Sequence, residues 1–342
     1  MDRVLFEICQ ENSKTAFSVG YQIVYLINVV LSVTSIFTCS YFIKTFIWNS
    51  TFHPNFKLLL TMYFFAAIFH SILFTVSYLM MIERFLDYQT ECDIHMSMVP
   101  YMMVHSSIAI CLFCGMLTQV FLVIERFFAT LKIESYEHNT SFRHILAYLF
   151  FCIVLPVSLL VWAYQDADYR SPVITAISPP KGVEFRLNIL YIFCFSLAIL
   201  ALILLQIIRY VNKKRESRIE ISLSGRFQIV ENIDTTTFIS SILIINMLMS
   251  VIYIVGTFSL RNFEFDVFID DRAALSTVKL IFYLHPLFSF LMPLISSYHL
   301  SKMRERRLKR REHLLAIKTK GREGSDAYNQ LLHDQWQQHF LK

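Results

Sequence analysis

The chain has 342 residues, of which 55% are hydrophobic and 17% charged, with a formal net charge of +5 and a mean hydropathy of +0.50. Soluble domains carry about a quarter charged residues and do not gather apolar residues into repeated runs of ~20, so a soluble globular fold is excluded. Phe (32) and Tyr (17) are abundant while Gly (7) and Pro (8) are scarce, which excludes disorder and low complexity over most of the length.

Met1–Ser18 is mixed and polar (Asp2, Arg3, Glu7, Glu11, Lys14) and carries no secretory leader pattern, so the first apolar run is expected to act as an uncleaved signal anchor. Seven runs follow that can each cross a ~30 Å hydrocarbon core at about 1.5 Å per residue. They are Val19–Ile47, Phe56–Ile82, Met98–Ile124, Ile145–Tyr164, Leu187–Tyr210, Phe238–Leu260 and Ala274–Leu300. β-Barrel strands would be half as long and would alternate in polarity. The predicted fold is therefore an all-α membrane protein, a seven-transmembrane helix bundle over residues 19–300, with a short amino-terminal segment and a tail at 301–342. The connections are short apart from Val211–Thr237, and no internal repeat points to an inverted-repeat transporter.

Lys and Arg set the orientation. Of the 31 basic residues, 22 fall on the side of the tail, with clusters at Arg209–Arg226 and Lys302–Arg311. The amino terminus is thus expected outside and the tail in the cytoplasm. Two glycosylation sequons, Asn49-Ser50-Thr51 and Asn139-Thr140-Ser141, fall on the expected inner side; either they are chance matches or the orientation is reversed. Cys39, Cys111, Cys114, Cys152 and Cys194 lie within the runs and read as small buried apolar residues. Cys9 and Cys92 are the two expected outside, in an oxidising compartment, and a disulfide between them would tie the amino-terminal segment to the start of the third span.

The third run ends abruptly in Glu125-Arg126-Phe127. One reading is an interfacial stop signal with Arg126 snorkelling to lipid phosphates. The preferred reading, given its place at the inner end of the third of seven spans, is a switchable ion-pair latch. Arg226-Phe227-Gln228 and Glu231-Asn232 precede the sixth span, and Asp234-Thr235-Thr236-Thr237 is expected to cap it. In the seventh span Pro286 and Pro293 would each remove an intrahelical bond, which suits a switch and also occurs in static membrane helices. His70, His105, Gln119, Gln206, Asn246 and His285 are polar residues within spans and are expected to make interhelical hydrogen bonds. Of these, His70, His105 and His285 are candidates to line an outward-facing ligand pocket. Three histidines also raise a zinc site of a membrane hydrolase, but no carboxylate or second histidine at helical spacing supports it, so no metal, cofactor or enzymatic activity is expected. In the tail, basic residues alternate with Met303, Leu308, Leu314, Leu315 and Ile317, the pattern of an amphipathic helix on the anionic lipids of the inner leaflet. Nucleic-acid binding is the poorer reading because the membrane is adjacent.

Three elements resemble the nematode chemosensory serpentine receptors of the alpha or alpha-beta class. They are Phe52-His53-Pro54-Asn55-Phe56-Lys57, Ile124-Glu125-Arg126-Phe127-Phe128-Ala129-Thr130, and Arg226-Phe227-Gln228 with Glu231-Asn232. The resemblance covers nearly the whole chain. It implies a seven-helix receptor at the surface of a sensory cell that binds an external small molecule and signals to a heterotrimeric G protein, with Glu125, Arg126, Phe127, Arg226, Gln228, Glu231 and Asn232 in the latch and coupling region. The chain departs from the rhodopsin-like pattern: Phe127 stands where Tyr is usual, Gln165–Arg186 holds no cysteine, and the seventh span has no Asn-Pro-x-x-Tyr. The alternative is a seven-span ligand-gated ion channel with the amino terminus inside, which topology would distinguish.

Overall fold

The computed structural model describes residues 3–132, 142–168, 172–216, 223–267 and 271–318, together with positions 325 and 329. Among these residues the regular structure is helical, apart from one isolated bridge between Asp168 and Lys181. Helix α1 is Arg3–Phe17, and α2 is Val19–Phe42, continued by a π-turn at Ile43–Ile47. Next come α3 (Pro54–Leu86), α4 (Met98–Leu131), α5 (Phe142–Ala163), α6 (Glu184–Glu216) and α7 (Leu223–Val267). The last two are α8 (Arg272–Ile281) and α9 (His285–Lys318).

Among the described residues, seven helical stretches are long and apolar enough to cross a membrane: Val19–Ile47, Pro54–Leu86, Met98–Leu131, Leu146–Ala163, Phe185–Glu216, Gln228–Gly256 and Arg272–Lys309. Their outward faces carry large apolar side chains such as Phe150, Phe151, Ile192, Phe193 and Leu200, which a bilayer would cover. Helix α4 is the hub and packs against α3, α5, α6 and α7. The chain divides into two compact units, Met1–Ile295 and Ser296–Lys342. In the second, Lys302 lies over the Tyr298 ring at 5.6 Å and Lys309 pairs with Glu305 one turn earlier at 2.5 Å.

Three boundaries differ from expectation, each for a local reason. First, α4 runs past the apolar stop to Leu131, so Glu125 and Arg126 sit inside a helix rather than at its end. Second, α7 begins eleven residues before Asp234, so Thr235, Thr236 and Thr237 do not cap it; their hydroxyls donate back to the carbonyls of Glu231, Asn232 and Ile233. With α6 reaching Glu216, the expected long connection Val211–Thr237 is largely helix. Third, the seventh span is not a kinked single helix. It breaks at Phe282–Leu284, and Pro286 falls in the first turn of α9, where a missing N–H leaves no bond unmade. Phe282 at the break lies directly on Gly256 of α7, where a Cβ would come within 2.3 Å of its ring.

One end of the bundle, the cap end, is closed by α1 and two connections. Cys9 and Cys92 are disulfide-bonded with their Cα atoms 4.9 Å apart, and the amide of Asn12 donates to His95 Nε2 at 2.8 Å. The connection between α5 and α6 dips inward at 172–178: Thr175 and Ala176 are buried. Thr175 is hydrogen-bonded to Tyr25 (3.1 Å), the Ala176 N–H donates to Ser77 Oγ (3.3 Å), and Met96 N–H donates to Val173 O (3.0 Å). Gly182 closes this connection with φ 89°, a left-handed backbone that a larger residue would strain.

A buried latch and an apolar cavity as candidate functional site

At the opposite end, Arg126 is among the most deeply buried side chains, with 1% exposure. Its Nε and Nη2 donate to the two carboxylate oxygens of Glu125, both at 2.5 Å. Nη1 donates across to α7, to Asn232 Oδ1 at 3.0 Å and Thr235 Oγ1 at 3.1 Å. The guanidinium also lies 4.8 Å above the Phe56 ring at the start of α3. A planar fork with several donors suits this role better than an ammonium, because it satisfies a carboxylate and a second helix at once.

The same face of α7 holds α3. Glu231, also buried, accepts the His53 N–H at 3.0 Å, placing a carboxylate at the amino end of α3 where the helix dipole favours it. Gln228 is buried one turn earlier. Phe127 points away, is 37% exposed and touches Phe128. Arg226 lies in the first turn of α7, and its side chain is outside the described residues. Two contacts escaped the sequence reading: Asn212 donates to Thr130 Oγ1 at 2.9 Å and Arg215 to Thr130 O at 2.5 Å, tying α6 to the end of α4. The signal was present in Thr130, the last residue of the Ile124–Thr130 element, but its partner lies 82 residues away.

A cavity of about 110 Å³ opens between α4, α6, α7 and the α8–α9 break. Met116, Tyr191, Cys194, Tyr253, Leu284 and His285 are on its walls. The amide of Asn246 donates to Gln119 Oε1 at 3.0 Å, bridging α7 to α4 along the lining. Of the three histidines singled out from the sequence, only His285 lines this cavity. His70 stands behind it, ring centroids 4.0 Å apart, with Nε2 2.6 Å from the Tyr283 hydroxyl. His105 belongs to the cap: Nδ1 is 2.8 Å from Ala176 O and Nε2 2.7 Å from the Tyr164 hydroxyl. A carbonyl can only accept, so Nδ1 carries the proton and Nε2 accepts from Tyr164. The inward dip of 172–178 thus occupies the place where His105 was expected to face a ligand.

In the cap, His95 Nδ1 is 3.0 Å from Cys92 O, which likewise leaves Nε2 to accept from Asn12. Arg84 donates to the His95 carbonyl at 2.7 Å. Burial pushes the His95 imidazole below its ordinary pKa, partly offset by the bond to Cys92 O.

Residues 7–337 match a family model described as serpentine type 7TM GPCR receptor class ab chemoreceptor. Over 342 residues, all of both chains, the sequence is 89% identical to serpentine receptor class beta-16 of Caenorhabditis elegans. Serpentine receptor class beta-17 of the same nematode is 25% identical over 337 residues, 97% of this chain and 91% of its own. Class beta-3 is 23% identical over 331 residues, 96% of each. These relatives are named class beta, which corrects the alpha or alpha-beta subclass expected from the motifs. Those motifs build the contacts of Arg126 and Glu231 between α3, α4 and α7, which say nothing about what separates one subclass from another.

Proposed function

The chain belongs to the serpentine seven-transmembrane chemoreceptor family, and from that premise we propose that it is a G-protein-coupled chemosensory receptor for an external small molecule. The observation that carries this reading is the buried Arg126, held by Glu125 on its own helix and by Asn232 and Thr235 on α7. In the proposed resting state α7 is locked twice, through Arg126 to α4 and through Glu231 to α3. Hydrogen bonds to charged groups are worth roughly 1.5–3 kcal/mol each, so the closed state is favoured by several kcal/mol without ligand. The cavity touches α4, α6, α7 and the α8–α9 break, so a guest there can bind two arrangements of α7 unequally, which is all that a shift of populations requires. Released from α7, Arg126 would face a heterotrimeric G protein, with Gln228, Arg226 and the basic stretch Arg209–Arg226 on the coupling surface. The proposed orientation puts the cap outside a plasma membrane and the latch in the cytoplasm, with the basic tail on anionic inner-leaflet lipids.

The test needs no ligand. Asn232→Leu combined with Thr235→Val removes the α7 half of the latch and is expected to raise basal nucleotide exchange on co-reconstituted G protein several-fold. Adding Glu125→Gln together with Arg126→Gln, which removes both buried charges so that neither is stranded, should return exchange to the resting level while surface expression is retained. Exchange that is unchanged by both steps would overturn the latch.

A further inference from the structure

Resting on the receptor reading, we propose that the cavity at the α8–α9 break takes a neutral, compact molecule whose one polar group is hydrogen-bonded by His285. Three observations lead there. No Asp, Glu, Lys or Arg stands among the described residues of the lining, so a charged guest would lose its hydration with no counter-charge to replace it. The size is also limiting. A 150 Å³ apolar cavity accommodates benzene, so ~110 Å³ suits a guest no larger than benzene, of about six heavy atoms or fewer.

The third observation is which polar side chain of the lining makes no hydrogen bond at all. Gln119 and Asn246 share one hydrogen bond, Tyr191 and Tyr253 share another, the Tyr283 hydroxyl is bonded to His70, and Ser250 Oγ to the Asn246 carbonyl at 2.8 Å. His285 differs. Among the described residues its ring meets only the rings of His70 and Phe288, at 4.0 and 5.9 Å, and no hydrogen-bond partner. It is half-buried on the cavity wall as the first residue of α9, and Pro286 after it has no N–H to offer. A neutral imidazole presents one donor and one acceptor, the complement of a hydroxyl, which also does both. A small alcohol is therefore the best-matched guest, and a carbonyl compound of the same size is next. His70 packs against the His285 ring and is itself held by the Tyr283 hydroxyl, so the two act as positioning residues.

The experiment uses the full chain in nanodiscs and four probes of five or six heavy atoms: cyclopentanol, cyclopentane, cyclopentylammonium and isobutyrate. Apparent affinities come from the dependence of the thermal midpoint on probe concentration. Cyclopentanol is expected to stabilise most, cyclopentane less, and the two ions not at all. His285→Phe should weaken cyclopentanol by roughly five- to tenfold, to the level of cyclopentane, the loss of about one hydrogen bond. Ala198→Val and Ala198→Phe, which fill the cavity from α6, should remove both neutral probes in graded order. An ion that stabilises as well as cyclopentanol would overturn the proposal, and so would a preference for the alcohol that survives His285→Phe. So would neutral probes that act equally on wild type and the Ala198 variants. Because no G protein is present, failure here leaves the basal-exchange test of the latch untouched.

Discussion

Arg126 can be buried because its Nε, Nη1 and Nη2 each meet an oxygen, from two different helices. That arrangement decides which substitutions are informative. Removing Glu125 strands a buried cation, typically at 3–5 kcal/mol, so such variants are expected to fail at folding and say little about switching. Removing Asn232 or Thr235 leaves the Glu125–Arg126 pair intact and loosens only the grip on α7. A second residue-scale prediction concerns Gly256. An alanine there would place Cβ 2.3 Å from the Phe282 ring, closer than atoms pack, so the ring must swing away from α7. Overpacking of this kind costs about 1–3 kcal/mol. Gly256→Ala should lower the thermal midpoint of the detergent-solubilised protein, and Phe282→Leu in the same chain should recover most of the loss. An unchanged midpoint in the single variant would show that the contact is not tight.

At the scale of elements, α1 is held over the bundle by the Cys9–Cys92 bond, by Asn12 on His95, and by an exposed Glu11–Arg272 pair worth little on its own. His95 makes this attachment pH-dependent. Its folded pKa is depressed, so the attached cap binds fewer protons than the detached one. The stabilisation is present above the ordinary histidine pKa of about 6.5 and is lost as pH falls below it toward the lower folded value. Hydrogen-exchange protection factors for α1 amides, corrected for intrinsic pH dependence, should therefore fall between about pH 7.5 and 5. In His95→Gln the fall should vanish; a fall that persists would place the titrating group elsewhere.

For the whole molecule, glycosylation mapping reads the direction of insertion. Reporter sequons ahead of Met1 and after Lys342 should be glycosylated at the front only if the cap is outside. Modification of the tail alone would reverse the bundle, take the latch out of the cytoplasm and favour the channel alternative. The seven spans were legible because hydropathy is a property of neighbouring residues, and so was the pairing of Glu125 with Arg126, which are adjacent. Their partners were harder to place. Asn232 stood out in the motif, yet that it meets Arg126, and that Thr235 joins it from inside a helix instead of capping one, follows from the crossing of α4 and α7. The three histidines read alike in the sequence, each a polar residue in an apolar run. Packing separated them into a cap anchor, a supporting ring and a cavity wall, because the inward dip of 172–178 and the break at Phe282–Leu284 arise from contacts between distant segments. Length, spanning number and the charged Glu125–Arg126 pair were thus determined by the sequence itself. Which polar groups stay open to a guest was decided only when the helices met, since a hydrogen bond across helices depends on distances that no local pattern encodes.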